Sequence, residues 1–294
     1  MKRINPFKGL GVALVTPFLE DGSVDFKSLR ALVSKMIGEG ADFICVLGTT
    51  AETPCLTGEE KRAVMDAVVD EAAGRVPLLL GCGGNCTASV CDFLKTADLK
   101  GFSGVLIVAP FYNKPSQNGL FEHFKAVAAA SPLPVVVYNV PGRTGVNISA
   151  ETTLRIAHEC ANVVAIKEAS GKIGQIEDII DSAPEGFDVL SGDDAITFEL
   201  LTIGATGVIS VVGNAFPKDF GNMVHSALGG DFNTALAEHK HFKPLYPMLS
   251  VDGNPSGIKS LLSLMGLAGG TLRLPLVPVS EDTRAAQQKF LDKK

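Results

Sequence analysis

The sequence predicts a (β/α)8 barrel followed by a helical extension, and three observations carry that expectation. Eight short apolar runs rich in Val, Ile and Leu recur between residues 11 and 213. Each reads as a strand buried on both faces, the pattern of a parallel sheet. The segments after them carry apolar residues at helical spacing. The chain, at 294 residues, also exceeds the ~250 typical of such a barrel by enough for an appendage. An open doubly wound sheet is the alternative, but it calls for a G-x-G-x-x-G turn after the first strand. Here that turn reads TPFLEDGS.

In chain order the strand candidates are GVALVTPF (11–18), FICVLG (43–48), VPLLLG (76–81), GVLIVAP (104–110), LPVVVYN (133–139), VVAIKE (163–168), FDVLSG (187–192) and TGVISVVG (206–213). The first helix candidate places Phe26, Leu29, Leu32, Val33, Met36 and Ile37 on one stripe. The next opens with Thr57-x-x-Glu60, a capping box. Others are expected after Ser116, Ser149, Gly171, Asp193 and Phe216. The barrel is assigned to residues 1–229 and the helical extension to 230–294, where FNTALAEHKHFKPLYPML and SGIKSLLSLMG have helical character.

Composition narrows the function classes. Hydrophobic residues are 46% and charged residues 20%, a globular balance. A net charge of −6 argues against a nucleic-acid partner, which needs a concentrated basic surface. The N-terminal stretch MKRINPFKGLGVALVTPF is broken by Pro6, Lys8 and Pro17 and lacks an A-x-A-like cleavage site, so it does not read as a signal peptide. No apolar run approaches the ~20 residues that span a bilayer. The expectation is a cytoplasmic protein with no membrane partner. The six cysteines form no CxxC pair, and no histidine accompanies Cys82, Cys86 and Cys91, so a zinc site is disfavoured.

Barrel active sites form at the C-terminal ends of the strands. Lys167 closes the run VVAI there. A free lysine amine, with a pKa of ~10.4, is almost wholly protonated at neutral pH, and burial is what releases a neutral nucleophile. Position alone leaves two readings: a nucleophilic lysine, or one snorkelling from the strand end beside Glu168. The chain has only three tyrosines, and two of them, Tyr112 and Tyr138, fall at strand C-termini with asparagine next. A phenol in that position relays protons; alone, each also fits a core residue with a satisfied hydroxyl. The Gly48-Thr49-Thr50 turn offers N–H groups and two hydroxyls to a carboxylate, or else caps its own backbone. Arg143, in Pro-Gly-Arg-Thr-Gly, offers a fork for a second carboxylate, or is a solvated loop residue. Gly81-Cys82-Gly83-Gly84-Asn85 matches no nucleotide fingerprint and reads as a turn. Asp193-Asp194 reads as a helix cap, and His239 and His241 as solvated.

With these residues in view, the ordered motifs GTTAET, FYNKPS, YNVPGRTG, AIKEASG and SGDD resemble the dihydrodipicolinate synthase family. The resemblance runs from GVALVTPF to NPSGIKSLL and TLRLPLVP, essentially the whole chain. It implies condensation of pyruvate with L-aspartate 4-semialdehyde through a Schiff base on Lys167, with no cofactor and no metal. It further implies that Tyr138 is the proton shuttle, that Thr49 links it to Tyr112, and that Tyr112 reaches in from a neighbouring subunit of a homotetramer built as a dimer of dimers. Thr49 and Thr50 would hold the pyruvate carboxylate, Arg143 that of the semialdehyde, and Gly192 and Ile209 would also contact substrate. Ala51 stands where many members carry glycine, a change that matters only if the position needs positive φ. The sister lyases, N-acetylneuraminate lyase and 2-keto-3-deoxy sugar-acid aldolase, are the alternative enzymes. A non-catalytic 2-oxo acid sensor is the alternative from another class. Family members inhibited by lysine use two histidines, a glutamate and a tyrosine where this chain has Gly58, Lys61, Ser89 and Phe111, and only Asn85 keeps that pattern; weak or absent lysine inhibition is expected.

Overall fold

The computed structural model describes residues 4–293. Eight strands close into a barrel in sequence order: β1 (Gly9–Ala13), β2 (Phe43–Val46), β3 (Leu78–Gly81), β4 (Gly104–Val108), β5 (Val135–Asn139), β6 (Val163–Glu168), β7 (Asp188–Ser191) and β8 (Gly207–Ser210). Helices separate them, and further helices follow the last strand, so the predicted (β/α)8 class and its helical extension are both observed. Except for β6, which matches its run, the strands are shorter than the apolar runs. Leu14, Val15 and Thr16 continue the β1 run as buried but irregular chain, and Val212–Asn214 turns into a 3-10 helix after β8. Hydropathy reports burial, and burial here extends past the last ladder bond.

Chain packing divides the molecule into two compact units, one built on Pro77–Ile209 with the residues just ahead of Gly9, the other on Gly9–Val76 and the chain from Ser210 onward. In the first, β3 to β7 pair parallel with their neighbours, and the β5–β6 ladder aligns Val137 with Ile166, Tyr138 with Lys167 and Asn139 with Glu168. Helices start at the expected caps: the Ser116 side chain accepts from the Gly119 N–H, and the Ser149 side chain from Thr152.

In the second unit, β1 pairs parallel with β2. The helix Phe26–Gly38 buries Leu29, Leu32, Val33 and Met36, as its stripe predicts, and Asp25 caps it. Thr57 and Glu60 form the reciprocal capping box of the helix Gly58–Ala72. The C-terminal helices are held by aromatic packing, with Phe242 between Phe216 and Phe220 at centroid distances of 5.6 Å to each. One expectation is corrected here. His239 is buried, with its Nδ1 facing the Tyr246 hydroxyl at 3.4 Å, because the helix Phe232–Phe242 turns that face onto the core; His241 is exposed. Polar neighbours in sequence concealed an inward position that only the helix phase decides.

Candidate active site

Lys167 is the penultimate residue of β6 and is only 6% exposed. Its register partner Tyr138 projects to the same side, and the Lys167 Nζ lies 4.3 Å from the centre of the Tyr138 ring. Room for the lysine comes from Gly192, just after β7. A Cβ built there would stand 3.0 Å from the Lys167 Cε and 2.9 Å from the Ala169 Cβ. No carboxylate pairs with Lys167 among the described residues. Glu168 is no partner, because successive strand residues alternate faces.

Glu168 instead anchors the frame behind the lysine. It is fully buried, accepts hydrogen bonds from Asn139 Nδ2 at 2.5 Å and from Ser170 Oγ at 2.5 Å, and burial pushes its carboxyl above the usual range. Asn139 also donates to Asn147 Oδ1 at 2.9 Å and accepts from the Ile148 N–H at 3.0 Å. These bonds tie the ends of β5 and β6 to the segment after Arg143. Arg143 itself lies exposed in the single turn Pro141–Thr144, which Gly145 closes at φ 73°. The Lys114 stem runs against Gly145, which brings the loop after β4 beside the Arg143 turn. In that loop Tyr112 is 83% exposed and holds φ at 74°, a strained left-handed conformation for a tyrosine. Ile209 is buried in β8.

In the second unit the 3-10 turn Thr49–Ala51 follows β2. Its hydrogen bonds run from Ala51 N–H to Gly48 O and from Glu52 N–H to Thr49 O, so the N–H groups of Thr49 and Thr50 open the turn and take no part in closing it. Leu47 and Glu52 bracket it with φ of 55° and 53°. Each such residue costs about 1–2 kcal/mol and is tolerated where surrounding contacts hold it. Thr53 Oγ donates to the Leu47 and Gly48 carbonyls at 2.9 Å, which supplies one such contact. Ala51 is buried inside the turn, and the left-handed position is the next one, Glu52, so the methyl group is accommodated.

Sequence reasoning missed the charges behind this turn. Glu52 and Lys259 are both buried and ion-paired; Lys259 Nζ also donates to Thr271 O at 3.0 Å and lies 4.0 Å from the Phe18 ring centre. The Arg273 N–H donates to Glu52 Oε2 at 3.0 Å, and its guanidinium grips Glu60 at 2.7 and 2.5 Å. That grip, with the Thr57 N–H, holds the Glu60 carboxyl down at about 2. Asn254 Nδ2 donates to Thr50 Oγ at 3.1 Å. Nothing in SGIKSLL marks Lys259 as buried, since a lysine in a helix is ordinarily a solvated residue; the apolar residues crowding it are the only signal.

The remaining candidates stay outside this chemistry. Asp193 accepts from the Ala195 N–H at 3.0 Å as a cap. Cys86 is exposed, whereas burial pushes the Cys82 thiol up to about 12. No group of three His, Cys, Asp or Glu is placed to hold a metal among the described residues.

Known proteins resemble the chain over nearly its whole length. The chain is 55% identical over 285 residues, 97% of its length and 96% of the relative's, to the 4-hydroxy-tetrahydrodipicolinate synthase of Phocaeicola vulgatus. It is 57% identical over 271 residues to that of Parabacteroides distasonis, covering 92% of this chain and 91% of the other. The crystal structure of dihydrodipicolinate synthase from Aquifex aeolicus superposes with a TM-score of 0.94 at 40% identity, covering 98% of each chain. With residues 6–294 matching the dihydrodipicolinate synthetase family, the chain belongs to that family.

Proposed function

We propose that Lys167 is the Schiff-base lysine of a lyase that condenses pyruvate with L-aspartate 4-semialdehyde to 4-hydroxy-tetrahydrodipicolinate, in the diaminopimelate route to lysine. The observation that carries this is the buried, carboxylate-free Lys167 amine lying beside the Tyr138 ring in space left by Gly192. The amine adds to the pyruvate ketone, and loss of water gives an imine whose nitrogen draws electrons from the methyl carbon. Loss of a methyl proton gives an enamine, whose carbon attacks the aldehyde. The amino group of the second substrate then adds to the imine carbon, closing the ring and releasing Lys167.

Tyr138 shuttles the protons, with Thr49 as the relay to Tyr112. Thr49 and Thr50 hold the pyruvate carboxylate, a role supported by the two turn-opening N–H groups and the two hydroxyls. Arg143 takes the carboxylate of the semialdehyde, and Gly192 and Ile209 border the substrate. The chemistry needs no cofactor. The barrel, residues 1–229, carries it, with residues 230–294 as a supporting extension. Tyr112 acts in a neighbouring copy within a homotetramer, a reading supported by its exposure and strained φ of 74°. No helix among the described residues is long and apolar enough to cross a membrane; we place the enzyme in the cytoplasm.

The curated relatives above carry the synthase name, which favours this reading over the sister lyases and over a sensor. A coupled assay decides it: pyruvate with L-aspartate 4-semialdehyde gives the cyclic product, and N-acetylneuraminate and 2-keto-3-deoxy sugar acids are not cleaved. Cleavage of either, with no condensation, overturns the assignment. Mixing inactive Tyr112→Phe and Lys167→Ala subunits tests the shared site. Activity returns if Tyr112 serves a neighbouring copy, and stays absent despite proven subunit exchange if it serves its own chain.

A further inference from the structure

The contact between Asn254 and Thr50 has a defined polarity. Thr50 is buried, and its Oγ accepts from Asn254 Nδ2 at 3.1 Å. The amide nitrogen only donates, whereas a hydroxyl has one proton to give and two lone pairs to offer. With a lone pair engaged by Asn254, the Thr50 hydroxyl keeps its proton for another acceptor, and accepting one bond strengthens the bond it donates.

The pair is held in place by a second clamp. Asn254 lies two residues ahead of the helix Ser256–Leu264, and Lys259 in that helix is ion-paired to Glu52, two residues after Thr50. Glu52 in turn is pinned by the Arg273 N–H at 3.0 Å. One neutral and one ionic link therefore join the same turn to the helix Ser256–Leu264 and the residues that lead into it. The buried ion pair fixes the register, and the amide sets the direction of the hydroxyl.

We propose that Asn254 is a positioning residue for a 2-oxo acid carboxylate, acting by orienting the Thr50 hydroxyl so that its proton is donated to the substrate. The inference rests on the reading of Thr50 as a carboxylate donor. A near-isosteric replacement reverses the polarity: an aspartate at 254 only accepts, so it would claim the Thr50 proton and add a negative charge beside the anion.

The test uses the full chain, with pyruvate as the probe. Borohydride-trapped adduct is measured by intact mass as a function of pyruvate concentration. For Asn254→Asp, half-saturating pyruvate should rise by roughly tenfold or more, the scale of a charged hydrogen bond. Maximal trapping should stay within about twofold of wild type, because Lys167 is untouched. Asn254→Ser, which restores a donor hydroxyl, should recover part of the affinity. In a Thr50→Val background, Asn254→Asp should add less than about twofold, since the group it acts through is gone. Half-saturation of Asn254→Asp within twofold of wild type, or an equal rise in both backgrounds, overturns the proposal. If Asn254→Asp does not fold by circular dichroism, Asn254→Ala is judged by the same two outcomes. Wild type that traps no pyruvate overturns the functional reading and this inference together. Wild type that traps while the variants saturate normally overturns this inference alone.

Discussion

Two buried lysines, Lys167 and Lys259, live under opposite electrostatic arrangements. Lys259, 1% exposed, is ion-paired to Glu52 and stacked over Phe18. Lys167, 6% exposed, lies over Tyr138 with no carboxylate paired to it among the described residues. Burial pushes the Lys259 amine below the usual lysine range, and the Glu52 carboxylate opposes that shift. Burial alone therefore does not identify a nucleophile. A carboxylate partner favours the charged form of an amine, whereas Lys167 has the face of the Tyr138 ring beside it and no such partner among the described residues. Under the function proposed above, Lys167 is the lysine that reacts, while Lys259 holds the Glu52 turn through its ion pair.

Exchanging their fates is the largest expected effect. Lys167→Ala should lose condensation entirely while remaining folded. Lys259→Met should still form an imine at Lys167 but lose about 3–5 kcal/mol of stability, because Glu52 would be left buried and unpaired. Glu52→Gln combined with Lys259→Met should recover much of that loss in thermal unfolding; no recovery would mean that packing, not charge, holds the pair.

The next effect separates the two carboxylate sites. Arg143→Ala should lower kcat/KM for the semialdehyde by about 2–3 kcal/mol while pyruvate still forms its imine. Lost pyruvate binding with intact aldehyde affinity would reverse the assignments. Smaller again is Gly192→Ala. Its methyl would press on the Lys167 Cε at 3.0 Å and on the Ala169 Cβ at 2.9 Å. Such overpacking typically costs about 1–3 kcal/mol, and it should appear as slower imine formation; an unchanged trapping rate would show the lysine has room to spare.

The charge cluster around Lys259 also predicts a pH signature. The Glu60 carboxyl is depressed to about 2 by Arg273 and the Thr57 N–H, so its contribution is present at neutral pH and is lost as pH falls from about 4.5 towards 2. The gap in melting temperature between wild type and Glu60→Gln should narrow over that window. A constant gap would detach the depressed carboxyl from stability. The smallest expected effect is that of L-lysine as an inhibitor. Lys61 and the uncharged Ser89 supply no carboxylate for its ammonium groups. Half-inhibition at saturating pyruvate should lie above the millimolar range, and submillimolar inhibition would contradict it.

The sequence made one side of this comparison legible and hid the other. VVAIKE places Lys167 at a strand end because an apolar run terminating in lysine has few other arrangements, and the observed strand, Val163–Glu168, coincides with it. Tyr138 is legible in the same way, near the end of the run LPVVVYN with asparagine next. The eight strands were legible as burial, and their ends were not, since buried loop residues such as Leu14 and Val212 are as apolar as the ladder. Lys259, Arg273 and Asn254 went unseen because their partners Glu52, Glu60 and Thr50 lie some two hundred residues away in the chain, beyond any local pattern. His239 was misread for a related reason: helix phase against a distant core decides it.

Peptide mapping of the adduct left by pyruvate and borohydride tests the distinction between the two lysines most directly. One reduced pyruvate per chain is expected, carried by Lys167, with Lys259 unmodified in wild type and in Lys167→Ala alike. An adduct on Lys259, or on any other lysine once Lys167 is removed, would contradict it.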